Sequence, residues 1–136
     1  MISFNYETDF NLEDEVLYSS WLAEVISSEN CKLGDINYVF CDDDFLHDIN
    51  VKYLNHDTLT DIISFDYSVG KELHGDVFIS IDRVKENAVD FEVSFSEELK
   101  RVMVHGVLHY CGYKDKNEDD KQLMRSKEDL YIAKFS

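Results

Sequence analysis

Apolar and polar positions alternate over residues 2–6, ISFNY, well enough to predict a short first strand. The pattern then turns helical: NLEDEVLYSSWLAEVISSEN, residues 11–30, sets Val16, Trp21, Leu22 and Val25 on one stripe. Asn11, Asp14 and Glu15 give that helix a capped, acidic start, and Gly34 is read as ending the unit. In DINYVFCDD, residues 35–43, Ile36, Tyr38 and Phe40 fall on one side and Val39 and Cys41 on the other, the signature of a strand. A short helix over DDFLHDINVKYL follows, then a polar connection, NHDTLTD.

Two β-rich runs come next, IISFDYS and ELHGDVFISID, joined by a turn at Gly70 and expected to be neighbouring, central strands. From Asp82 the period is helical to the end, through DRVKENAVDF, SFSEELKRVMVHGVLHYCGY and KNEDDKQLMRSKEDLYIAKF. In the second of these, Leu99, Val102, Met103 and Leu108 form the apolar stripe. Ser94 or Ser96 with a glutamate behind it resembles a capping box, and Gly112 suits the first position past the end. No segment repeats and no Gly/Ser linker interrupts the chain. The predicted architecture is α+β, a small mixed β-sheet of about four strands covered by helices, in one domain over residues 1–136.

The composition, with 44% hydrophobic residues and no proline, is that of an ordinary globular protein. No apolar run is long enough for a bilayer, and MISFNYETDF lacks the features of a signal peptide, so a cytoplasmic location without membrane contact is expected. Cys31, Cys41 and Cys111 lack metal or redox spacing and are read as buried thiols. Charge is more informative. The net value is −16, but residues 1–61 hold fourteen Asp/Glu against Lys32 and Lys52, whereas residues 62–136 hold fifteen against eleven Lys/Arg. The first half repels polyanions, so any nucleic-acid contact must use cations of the second half: Lys100, Arg101, Lys114, Lys116, Lys121, Arg125 and Lys127.

The strongest chemical signal is HGVLHYCGYKD, residues 105–115. On a helix His105 and His109 stand one turn apart on the same face, which suits two imidazoles on one zinc ion; a polar helix face would show the same spacing. Gly112 lets the chain turn back and bring Asp115 toward the rings, leaving a fourth position for water. Gly106 stands where an HExxH protease carries its glutamate, which disfavours that class. Cys111, two residues past His109, points away from the histidine face.

Taken with INVKY and LTDIISFDYSVGKELHGDVFISID upstream, this motif resembles the YbeY family of bacterial rRNA maturation factors and metal-dependent endoribonucleases. The family's H-G-x-L-H-x-x-G-Y-D-H falls on His105 to Asp115, its T-D-V-L-S-F on Thr60 to Phe65, and its G-D-I-x-I-S on Gly75 to Ser80. The resemblance implies metal ligation by His105, His109 and Asp115, with one Zn2+ per chain. Asp115 replaces the family's third histidine, and a carboxylate there shifts preference among divalent metals. The family arginine falls on Leu54, which has no charge for a phosphate. His56 and His74 are the candidate catalytic groups, beside Lys52. Thr60, Asp61 and Ser64 read as turn and strand-end residues, and Phe65, Val77 and Ile79 as core.

The implied function is a single-strand-specific endoribonuclease in 3′-end maturation of small-subunit rRNA and in ribosome quality control. Its implied partners are rRNA and ribosomal particles, with a ribosomal protein or assembly GTPase. The rival reading is a non-catalytic ribosome-assembly factor that binds basic proteins through its acidic surface. A third is a metallohydrolase of another substrate.

Overall fold

A computed structural model describes residues 1–54 and 60–135. Strand and helix follow the predicted order: β1 (Ile2–Tyr6), α1 (Glu15–Ser28), β2 (Lys32–Cys41), α2 (Asp43–Leu54), β3 (Ile62–Asp66), β4 (Glu72–Ser80), α3 (Ile81–Asp90), α4 (Phe95–Tyr110) and α5 (Glu118–Ala133). The sheet is mixed, in the order β1-β2-β4-β3, with β1 and β4 parallel to β2 and β3 antiparallel to β4. The α+β architecture read from the hydrophobic pattern is the one observed. No helix among the described residues is long and apolar enough to cross a membrane.

The two-residue period of β2 divides the core. Ile36, Tyr38 and Phe40 join Val77 and Ile79 of β4 under α1 and α4, whereas Cys41 joins Leu46 of α2 and Ile63 of β3 on the opposite face. Helix α5 lies against α4, and Trp21 of α1 donates its indole N–H to the Tyr131 carbonyl at 2.8 Å. Ser94 is the residue that caps α4, accepting from the Glu97 N–H at 3.1 Å, which completes the Ser-x-x-Glu spacing.

Helix α4 sits unusually close to the sheet because Gly106 has no side chain. A Cβ there would lie 3.2 Å from Ile62 Cδ1 and 3.3 Å from Val77 Cγ1. Fully buried Tyr38 donates its hydroxyl to the Met103 carbonyl at 2.7 Å, tying β2 to the middle of the helix. At the other end the Tyr110 hydroxyl reaches the carbonyls of Phe65 and Asp76 at 3.0 and 3.2 Å. Gly75 makes room for that ring.

Several local expectations are corrected. Val16 is 76% exposed, and the buried stripe of α1 runs through Tyr18, Trp21, Leu22, Val25 and Ile26. Asp14, not Asn11, caps that helix, accepting from the Leu17 N–H at 3.2 Å. Gly34 lies inside β2; the turn after α1 is made by Asn30, at φ 60°. Strand β3 is an edge strand rather than a central one. Of the cysteines only Cys41 is buried, and Phe65 is half-buried against the α2 side of the sheet.

Gly75 gives a direct test of this packing, since a Cβ there would fall 2.5 Å from the Phe65 carbonyl oxygen and against the Tyr110 ring. Gly75→Ala is expected to lower stability by roughly 1–3 kcal/mol, read as a drop in thermal midpoint by circular dichroism.

Candidate metal centre

Helix α4 ends in a tight reversal that the sequence specifies. Cys111 is the capping residue and Gly112 takes φ 106°, open to glycine at no steric cost. The Tyr113 N–H returns to the Leu108 carbonyl at 3.1 Å and the Gly112 N–H to the His109 carbonyl at 3.0 Å, a Schellman motif. The reversal carries Asp115 back over the last turn. Its Oδ2 lies 3.2 Å from His105 Nε2 and 3.3 Å from His109 Nε2, and the two Nε2 atoms are 2.9 Å apart.

The far side of each ring is engaged as well. His105 Nδ1 is 2.7 Å from Glu128 Oε2, and His109 Nδ1 is 2.9 Å from the Tyr113 carbonyl oxygen. A carbonyl and a carboxylate only accept, so both Nδ1 atoms carry the proton and both Nε2 atoms turn lone pairs toward Asp115. Three electron-rich atoms in such proximity repel; a shared proton or a cation relieves this. Tetrahedral zinc with bonds of 2.0–2.2 Å has ligand atoms about 3.3 Å apart, close to the spacing of this trio. The donor set and its outer hydrogen bonds therefore fit a divalent metal.

Glu128 is 5% exposed and fully engaged: its second oxygen accepts from Arg101 at 3.0 Å, and Arg101 also binds Asp129 at 2.6 Å. Burial lowers the His105 pKa, but the hydrogen bond and charge of Glu128, with Asp115 and Asp61, outweigh it and leave His105 raised. A second carboxylate steadies the other ring. Glu29 accepts from the hydroxyls of Tyr113 (2.6 Å) and Tyr131, with Lys127 3.4 Å away. Burial alone would raise Glu29, yet these donors hold it below the usual value.

The trio sits on the wall of a cleft of about 550 Å³, which Thr60, Asp61 and Ser64 line from the β3 side. Glu98, Arg101 and Val102 continue the wall along α4, and Lys121 and Arg125 line it from α5. Glu98 Oε1 is buried and is the one such side-chain atom among the described residues without a hydrogen-bond partner. Burial pushes Glu98 up to about 7; the charges of Asp61 and Glu128 add to the rise while Arg101 and Arg125 oppose it. Burial raises Asp61 too, against the pull of His105.

The structure thus brings His105, His109 and Asp115 together. His74 lies elsewhere, on β4: its Nδ1 accepts from the Asp35 N–H at 3.1 Å, and it does not line the cleft. His56 lies outside the described residues. Leu54 ends α2 and does not line the cleft, and Lys52 lies over the ring of Tyr53. Cys111 is half-buried, its thiol raised by burial and by Cys31. Sequence reasoning missed Glu128 and Glu98, and took Asp61 for turn chemistry alone. A signal for Glu128 existed: it occupies the buried stripe of α5 between Met124 and Tyr131, where an apolar residue belongs.

Two outcomes follow from this chemistry. Glu128→Gln keeps an acceptor for His105 but removes the charge, and is expected to weaken zinc binding about 10–100-fold in chelator competition. Glu98 has a folded-state pKa near 7 against an ordinary 4.5, so the folded state holds its proton longer and loses stability as pH rises between those values. Glu98→Gln should therefore gain on wild type in thermal midpoint by several degrees between pH 5 and pH 8, a shift on the order of a few kcal/mol at most.

The chain is similar to known proteins over nearly its whole length. The family model for endoribonuclease YbeY matches residues 2–136. The endoribonuclease YbeY of Flavobacterium johnsoniae is 65% identical over 135 residues, covering 99% of this chain and 97% of that protein. Its counterpart from Flavobacterium psychrophilum is 67% identical over 135 residues, covering 99% and 96%. The solution structure of a Thermotoga maritima protein superposes with a TM-score of 0.72 at 24% identity, covering 99% of this chain and 89% of that one, which shows a shared fold. With a family model spanning nearly every residue and relatives this close over their full lengths, the chain belongs to the YbeY endoribonuclease family.

Proposed function

We propose that this chain is a metal-dependent endoribonuclease of rRNA processing, with the activity carried by one domain over residues 1–136. The observation that supports it best is the presentation of two lone pairs, by rings anchored at Nδ1, beside a carboxylate at the wall of an open cleft. The name borne by the Flavobacterium relatives supports RNA as the substrate.

Zinc, one ion per chain, is the proposed native metal, held by His105, His109 and Asp115. Bound there, such an ion supplies an activated water at neutral pH and neutralises charge on a phosphoryl oxygen. The chain's own residues do the rest. Glu128 and the Tyr113 carbonyl hold the rings in the tautomer that keeps Nε2 free, and Arg101 holds Glu128. Lys121 and Arg125 offset the −16 charge where a polyanion must enter. His56 is the proposed proton donor to the leaving oxygen, and His74, engaged with Asp35, is assigned no step. Ribosomal particles, with a ribosomal protein or assembly GTPase, are the proposed partners, in the cytoplasm.

Elemental analysis and cleavage of single-stranded RNA test this together. Wild type should hold near one zinc per chain and cut RNA. His109→Ala should lose the metal and fall below a hundredth of the wild-type rate, roughly the loss expected when one strong electrostatic group is removed. A zinc-loaded protein that leaves RNA intact would overturn the RNA reading in favour of another phosphoester or acyl substrate.

A further inference from the structure

Phe91 lies in the same cleft as the metal cluster, 57% exposed, although it does not touch that cluster's hydrogen-bond network. Its mount is rigid. Phe91 caps α3, the Val93 N–H returns to the Ala88 carbonyl at 3.0 Å and the Glu92 N–H to Val89 at 3.2 Å, with Glu92 at φ 57°. A large exposed ring carried on a well-defined backbone turn at the edge of a polar cleft is a surface for another flat group.

Cations on α5 complete the arrangement. Lys121 and Arg125 are one helical turn apart, exposed, and line the cleft. Arg101 is committed to Glu128 and Asp129, whereas neither Lys121 nor Arg125 forms an ion pair among the described residues. In a chain of net charge −16, two such cations at one cleft face an anion from outside.

The order along the cleft is fixed by α4. Phe91 precedes the N-terminal end of that helix, Glu98 and His105 are separated by seven residues, about 10 Å of rise, and His109 is a turn further on. Helix α5 returns alongside, with Asp129 against Arg101 and Glu128 against His105, so Arg125 and Lys121 follow toward Asp115. A strand laid in the cleft meets an aromatic ring at one end and the metal ligands at the other, with cations on one wall.

We infer that Phe91, Arg125 and Lys121 form a subsite for unpaired RNA flanking the scissile phosphodiester, with one base stacked on Phe91 at the far end of the cleft and a backbone phosphate nearer the metal ligands on Arg125 and Lys121. This rests on the proposed RNA substrate. Stacking needs a base free of its neighbours, so a duplex, whose bases are already stacked, gains nothing from Phe91.

Initial rates with zinc-loaded protein on a labelled single-stranded oligouridine, with an RNA duplex of the same length as competitor, provide the test. Phe91→Ala should raise KM about tenfold, within the range expected for one stacked base, with little change in kcat. Phe91→Trp should restore KM, and the duplex inhibition constant should not move in either variant. Arg125→Gln and Lys121→Gln should each raise KM and reduce the slope of log KM against log salt by about 0.7. Thermal midpoints confirm folding, and the two α5 variants test the subsite independently of Phe91. Wild-type KM and salt slope in all these variants would overturn the subsite and leave the endoribonuclease reading standing. A loaded wild type that cuts no RNA would overturn that reading and the subsite with it.

Discussion

Close contact between α4 and the sheet at Gly106 is the constraint on which the rest depends. Only a residue without a side chain lets the helix settle onto Ile62 and Val77, and the Tyr38 hydroxyl then fixes its height through the Met103 carbonyl. Once seated, α4 buries a broad face that includes Leu99, Met103, Gly106, Val107 and Leu108, and turns the edge with Glu98, Arg101, His105 and His109 to the cleft. His105 and His109 lie on that edge, flanked by Gly106 and by the tight reversal at Gly112. Position and chemistry are thus set by the same short segment.

Around this helix the polar groups are arranged in successive layers. The rings hold the inner atoms, Glu128 and the Tyr113 carbonyl orient the rings, and Arg101 and Glu29 orient those partners. Each buried charge has a counterpart, as its removal from water requires. Glu98 is the exception: burial and the neighbouring carboxylates keep its proton near neutral pH instead of giving it a partner. The cost falls at the cleft wall, where departures from full satisfaction tend to accompany function.

The order of elements, the faces of β2 and the convergence of His105, His109 and Asp115 were legible in the sequence, because they depend on local periodicity and on residues ten positions apart. What escaped depends on contacts across the fold. Glu128 meets His105 from another helix, and Gly75 is required by Tyr110, thirty-five positions on. Val16 is five, six and nine residues from Trp21, Leu22 and Val25, so at 100° per residue it points to the opposite side of α1 and is exposed. Gly34 looked like a helix stop, yet it lies in β2, where the ring of His74 occupies the space a side chain would need. That same engagement takes His74 away from the cleft, which no local pattern announces.

X-ray absorption at the zinc edge of the loaded protein tests the central claim most directly, that two Nδ1-anchored imidazoles and the Asp115 carboxylate form the metal site. The account predicts a first shell of nitrogen and oxygen at about 2.0–2.2 Å with two imidazole contributions, and no zinc retained by His109→Ala. Sulfur scattering at about 2.3 Å, placing the ion on Cys31 and Cys111, or a shell with no imidazole contribution, would contradict it.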